Sequence, residues 1–135
     1  KAHPKKPIIV GGFHPTFVRE EPFFNGANFS IRGEGSLSFR HFLKVFLDKH
    51  YDNVPGLSYI KDNKIKHNPL LEQKEDLNLL PTPAYQAVLG RPRRAPLETA
   101  RSCPYNCKFC SVIKMYGRGL RFRKPDLVIG DLKRI

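Results

Sequence analysis

Three cysteines fall within one eight-residue window, Cys103, Cys107 and Cys110, and the chain of 135 residues has no others. An odd number of thiols cannot close into internal disulfides without a leftover, and clustering of this kind in a reducing compartment points to metal. The segment reads Cys103-Pro-Tyr-Asn-Cys107-Lys-Phe-Cys110, a CxxxCxxC spacing. Three thiolates on one short loop can each take one iron of a cubane, leaving the fourth iron without a protein ligand. An open coordination position is what separates a reactive metal site from a closed structural one, because a small molecule can bind there. The competing reading is a zinc knuckle that recruits His67 as a fourth ligand. It lacks the second cysteine pair that structural zinc sites favour.

The elements that must hold this loop can be read from periodicity. Pro96-Leu-Glu-Thr-Ala100 reads as a strand that delivers the cysteine loop at its C-terminal end, and a helix is expected from Pro125, a residue suited to a first helical turn. Upstream, Pro7-Ile-Ile-Val-Gly-Gly12 is a short apolar, β-branched run closed by glycines, as a buried parallel strand would be. A second run, Phe29-Ser-Ile-Arg-Gly33, follows a proline-interrupted stretch with room for a short helix between Thr16 and Phe24. Two strands with such a crossover predict a βαβ unit. Phe39, Phe42, Leu43, Phe46 and Leu47 then recur at helical spacing and predict a helix laid over the sheet, with Ser36 or Ser38 as its N-cap. Leu57–Lys61 and Lys64–His67 alternate around Asp62-Asn63, the pattern of a β-hairpin. Residues 68–95, with Pro69, Pro81, Pro83 and Pro92, read as a linker.

The formal net charge is +12. A field of that sign can recruit nucleic acid or anionic surfaces. Here the basic residues stand in short groups, Lys5 with Lys6, Arg91 with Arg93 and Arg94, and Arg118 to Lys124, separated by core-like runs, so a solvated surface accounts for them better and nucleic acid is not the expected partner. The alternative is a basic module in which a metal knuckle orders a loop and Arg91, Arg93, Arg94, Arg118, Arg121 and Arg123 contact phosphate. No apolar stretch approaches the roughly 20 residues that span a bilayer, and no signal peptide opens the sequence, so a cytoplasmic location is expected. The chain begins at Lys1 rather than Met and stops at Ile135 inside a helical pattern, so it is expected to be a piece of a longer protein.

The cysteine motif, with Phe109 just before its last cysteine, resembles that of the radical S-adenosylmethionine (SAM) superfamily, as do Glu98-Thr-Ala-Arg-Ser-Cys103 and Tyr116-Gly117 around it. Arg121 and Arg123, before Lys124-Pro125-Asp126, resemble the family's lead into its first barrel helix. The resemblance implies that Cys103, Cys107 and Cys110 hold a [4Fe–4S] cluster whose free iron chelates SAM, with Phe109 near the adenine. One electron from the reduced cluster would then cleave SAM to methionine and a 5′-deoxyadenosyl radical. Val10-Gly-Gly-Phe-His-Pro-Thr16 and Ile31-Arg-Gly-Glu-Gly35 resemble the later part of the cobalamin-binding domain of B12-dependent members. By that resemblance Gly11, Gly12, His14 and Thr16 line one part of a cobalamin pocket and Gly33, Glu34 and Gly35 another. His14 is expected to be a hydrogen-bonding loop residue rather than a cobalt ligand.

The implied architecture is α/β. Residues 1–50 would form the C-terminal part of a doubly wound, Rossmann-like cobalamin-binding domain and 51–95 a hairpin and linker. Residues 96–135 would form the first β/α unit of a partial TIM-type radical SAM barrel. The implied function is reductive SAM cleavage coupled most often to methyl transfer, with an electron from a flavodoxin- or ferredoxin-like donor and an unknown small-molecule or peptide substrate. A radical SAM enzyme whose upstream domain does not bind cobalamin is a further alternative. With only one barrel strand present, the chain alone is expected to turn over no substrate.

Overall fold

A computed structural model describes residues 6–71, 75–87 and 95–135. Lys5, Pro92 and the Arg91, Arg93 and Arg94 group lie outside the described residues. The chain divides into two compact units, Lys1–Glu75 and Asp76–Ile135.

The first unit is a mixed four-stranded sheet in the order β1-β2-β3-β4. Strand β1 (Ile9–Gly11) pairs in parallel with β2 (Phe29–Ile31), Ile9 opposite Phe29 and Gly11 opposite Ile31. The crossover between them holds two short helices, α1 (Phe13–Phe17) and α2 (Glu21–Phe24), rather than one. Pro22 explains the break: it lacks the N–H that a continuing helix would need, yet fits the opening turn of α2. Strands β3 (Leu57–Lys61) and β4 (Lys64–His67) form the hairpin, and β3 pairs antiparallel with β2, so the hairpin continues the sheet. Asp62 and Asn63 both take positive φ, 51° and 58°, as a two-residue type I′ turn requires, and such residues tolerate that region better than most.

Helix α3 (Gly35–Val45) follows β2. Phe42 is buried with Ile31, Val54, Leu57 and Tyr59, and Phe29, Phe46 and Tyr51 pack against them. The Phe29 and Phe42 ring centroids are 4.9 Å apart and tilted, and those of Phe42 and Phe46 are 5.3 Å apart. A fully buried phenylalanine contributes about 2–3 kcal/mol of apolar transfer. These rings fill the space over the short strands, so the expected apolar stripe is split: Phe39, Leu43 and Leu47 remain exposed.

The N-cap expectation also fails. The helix begins at Gly35, which leaves Ser36 and Ser38 inside its first turns, and the cap residue is Glu34, without a side-chain capping bond. Instead the buried carboxylate of Glu75 accepts the Leu37 backbone N–H at 2.8 Å. A carboxylate at that end meets both an orphan donor and the positive end of the helix dipole.

In the second unit β5 (Ala100–Arg101) pairs antiparallel with β6 (Arg121–Phe122), flanking the cysteine loop and α4 (Val112–Tyr116); α5 (Pro125–Leu132) follows. The strand expected over 96–100 is therefore shorter and later. Its preceding carbonyls are occupied by Arg123, whose backbone N–H donates to Thr99 O at 2.9 Å and whose guanidinium reaches Glu98 O at 3.5 Å. Arg123 Nη1 also donates to Asp131 Oδ2 at 2.5 Å, an ion pair with both side chains buried. The Thr82 hydroxyl, and then Arg123, hold the Asp131 carboxyl below the usual carboxylate range against the opposing effect of burial. Among the described residues no helix is long and apolar enough to cross a membrane.

Candidate functional site

Parallel pairing puts the C-terminal ends of β1 and β2 at one edge of the sheet, where ligands of open α/β sheets settle. Gly12, just past β1, has φ 97° and ψ −156°, a conformation that L side chains rarely adopt, and nothing lies within 4 Å of where its Cβ would be. Gly33, just past β2, has φ 74°. The two loops meet through Thr16. Its hydroxyl donates to Gly12 O at 2.6 Å and accepts the Gly33 N–H at 2.9 Å.

The other residues of the two glycine motifs are less constrained. A Cβ at Gly11 or Gly35 would make only ordinary contacts with Ile31, at 3.7 Å and 3.6 Å. Glu34 adopts an extended backbone at the α3 N-cap. His14 is exposed and lies in α1 rather than in a loop; its Nε2 is 3.2 Å from Glu21 Oε2 on the neighbouring short helix. The edge is thus open, backbone-lined and glycine-rich, and these features suit the approach of a broad planar ligand such as a corrin.

Behind that edge lies a buried polar cluster that the sequence reading missed. Arg32, between Ile31 and Gly33, is buried; its Nε donates to Ser58 Oγ at 3.0 Å and its Nη2 to Asn68 O. Ser58 Oγ is also 2.8 Å from His67 Nδ1. The Arg32 N–H donates to Gly56 O at 2.9 Å, and a Cβ on Gly56 would come within 2.5 Å of Arg32 O. Burial, then the charges of Arg32 and Arg19, push the His67 imidazole below its ordinary value of 6.5, with Glu20 opposing. A cleft of about 520 Å³ near the hairpin, lined in part by Asp52, Pro55 and Leu70, contains none of the glycine-motif residues.

The cysteine loop leaves β5 through Ser102, whose φ of 77° is left-handed for a non-glycine residue and whose hydroxyl donates to Gly117 O. Strain of that kind persists only when surrounding structure holds it. The adjacent Arg101 is fixed by a two-pronged pair with Glu98, at 2.6 Å and 3.0 Å, and its guanidinium lies 6.0 Å from the Tyr116 ring centre. Beyond Ser102 the loop opens. Cys103 and Cys110 are half-buried and Cys107 is exposed; Cys110 N–H donates to Cys107 O at 3.1 Å, closing the last turn. Phe109 is 93% exposed.

Among the described residues no three His, Cys, Asp or Glu side chains are grouped to hold a single metal ion. Thiolates on one zinc sit within about 4.6 Å of each other, twice the zinc–sulfur bond. Thiolates on a cubane take different irons and stand farther apart. An all-thiol donor set on an open loop fits the chemistry of a cluster.

No family model matches the chain. It is 28% identical to an uncharacterized methyltransferase of Pyrococcus horikoshii over 93% of its own length and 29% of that protein's. It is likewise 28% identical to the cobalamin-dependent radical SAM methyltransferase TokK of Streptomyces tokunonensis, over 80% of this chain and 18% of that one. The hopanoid C-2 methylase of Rhodopseudomonas palustris is 34% identical over 65 residues, 47% of this chain and 12% of that one. Among solved structures, the cobalamin-dependent SAM radical enzyme OxsB, with aqua-cobalamin and SAM bound, superposes with a TM-score of 0.71 at 25% identity, over 95% of this chain and 18% of that one. The chain spans less than a third of the length of each of these relatives. Cysteine motif, glycine motifs, mixed sheet and relatives point the same way: the chain resembles a piece of the radical SAM proteins that carry a cobalamin-binding domain.

Proposed function

We propose that this chain contributes two cofactor sites to a cobalamin-dependent radical SAM methyltransferase. Residues 1–50 supply the end of the cobalamin domain, 51–95 the hairpin and linker, and 96–135 the opening β/α unit of a TIM-type barrel. The observation that carries the reading is the all-thiol loop of Cys103, Cys107 and Cys110, entered through a left-handed Ser102 and open to solvent. The methyltransferase and methylase names of the relatives support the reaction class.

In this reading the three thiolates each hold an iron of a [4Fe–4S] cluster. A cluster held there and reduced by a flavodoxin- or ferredoxin-like donor would supply the one electron that reductive cleavage of a sulfur–carbon bond of SAM requires, the products being methionine and a 5′-deoxyadenosyl radical. The chain's own residues bind and orient. Ser102 sets the direction in which the thiol loop departs, and Arg101, clamped by Glu98, keeps the strand end rigid. Phe109 supplies an exposed apolar face against which an adenine can stack. At the other site Gly11, Gly12, Gly33, Glu34 and Gly35 present backbone to the corrin, with His14 at the rim.

The test is anaerobic reconstitution of the chain with iron and sulfide in the presence of competing zinc, followed by metal analysis. Iron and sulfide in cubane ratio are expected. Preferential zinc uptake without iron would contradict the proposal and favour a basic metal-knuckle module.

A further inference from the structure

Thr16 stands out because both functions of one hydroxyl are committed to backbone groups of two different loops. Its proton goes to Gly12 O at 2.6 Å, and its oxygen receives the Gly33 N–H at 2.9 Å. The first bond is the local i to i−4 pairing open to any threonine in a helix, but the second crosses 17 residues of sequence. A hydroxyl that both donates and accepts in this way has one lone pair left, so it is poorly placed to serve as a donor to a bound ligand.

We propose that Thr16 is a positioning residue, a strap that fixes the spacing between the loop after β1 and the loop after β2, rather than a residue that contacts the ligand. The inference rests on the cobalamin reading for the ligand but not for the strap itself. Three features make the strap consequential. Gly12 and Gly33 hold the positive-φ conformations of the two loops, and without a side chain neither can fix its loop by packing. Pro15, buried beside Thr16, fixes the backbone at the preceding position. The Gly33 loop is already held from the opposite side, by the Arg32 N–H on Gly56 O and the Arg32 guanidinium on Ser58 and Asn68. Thr16 thus ties the Gly12 loop to the anchored side of the edge. With both loops fixed beforehand, a ligand need not bring them to order when it binds.

The experiment compares the wild-type chain with Thr16→Val, which keeps the shape and removes both bonds, and Thr16→Ser, which keeps the hydroxyl. Amide exchange at Gly33, read by NMR, reports the strap without any ligand. Titration with hydroxocobalamin, followed by absorbance, reports the cradle. Val is expected to speed Gly33 exchange and weaken cobalamin binding, each by roughly tenfold, the scale of losing one or two ordinary hydrogen bonds. Ser is expected to restore both. Unchanged Gly33 exchange in Val would overturn the strap. Loss of cobalamin binding in Ser with Gly33 protection intact would also overturn the proposal, because it would mean that the methyl group touches the ligand. If the wild-type chain binds no cobalamin while Gly33 protection still follows the hydroxyl, the strap stands and the cobalamin reading falls.

Discussion

The two units solve opposite problems. In the first, several polar side chains are drawn inward and paired: Arg32 with Ser58 and Asn68, the Asn68 amide N–H with Tyr51 O and Val54 O, Glu75 with the start of α3. In the second, Arg123 and Asp131 form a buried ion pair and Arg101 and Glu98 a half-buried one, while Cys107 and the Phe109 ring are exposed and Cys103 and Cys110 half-buried. The difference teaches where each unit's chemistry resides. The first shapes backbone through a well-packed interior, and its side chains serve that shape. The second leaves the Cys107 and Phe109 side chains accessible on a loop entered through the fixed Ser102.

If that contrast is right, substitutions should separate cleanly. The largest effect is expected from Cys107→Ala, which removes one proposed iron ligand from an exposed position: cluster iron should be lost altogether, with thermal unfolding of the first unit and cobalamin uptake unchanged. Parallel loss of both cofactors would erase the distinction. Gly56→Ala is the converse. It forces a Cβ to within 2.5 Å of Arg32 O at φ 68° and should destabilise the first unit by about 3 kcal/mol, read from urea unfolding, with iron uptake preserved.

Glu75→Ala should cost about 1 kcal/mol by leaving the Leu37 N–H without its acceptor, a loss visible as faster exchange in the first turn of α3. A smaller effect is expected from His67. Because its imidazole titrates below 6.5 in the folded chain, the unfolded chain binds the proton more readily; stability should be constant above about pH 6.5, fall as pH drops below it, and level off beneath the folded value. His67→Gln should flatten that part of the profile. Phe109→Ala should leave unfolding unchanged, since its ring is almost wholly exposed, while weakening any response to SAM.

The same contrast explains what could be read from sequence. The thiol loop could be singled out because its signal lies in residue type and spacing, which folding does not alter. So were β1, β2 and the hairpin, whose β-branched runs and Asp62-Asn63 turn are local signals. The capping of α3 was not legible, because its acceptor comes from Glu75, 38 residues beyond Leu37, and a nearby serine offered a plausible local substitute. Arg32 gave no sign of burial either; within Ile31-Arg-Gly-Glu-Gly35 it reads as a surface charge until the hairpin brings Ser58 and Asn68 to it. The apolar stripe of α3 marked a helix correctly but overstated its buried face, since the sheet beneath it has room for Phe42 and Phe46 and not for Phe39, Leu43 and Leu47. Arg123 sits between these cases. Its motif drew attention to it, yet its partner, Asp131, lies one helix later.

The most direct test of the account is EPR of the anaerobically reconstituted, dithionite-reduced chain with and without SAM. The account predicts a reduced-cluster signal that is absent in Cys107→Ala and shifts when SAM is added. A chain that takes up zinc in preference to iron and gives no cluster signal would contradict it.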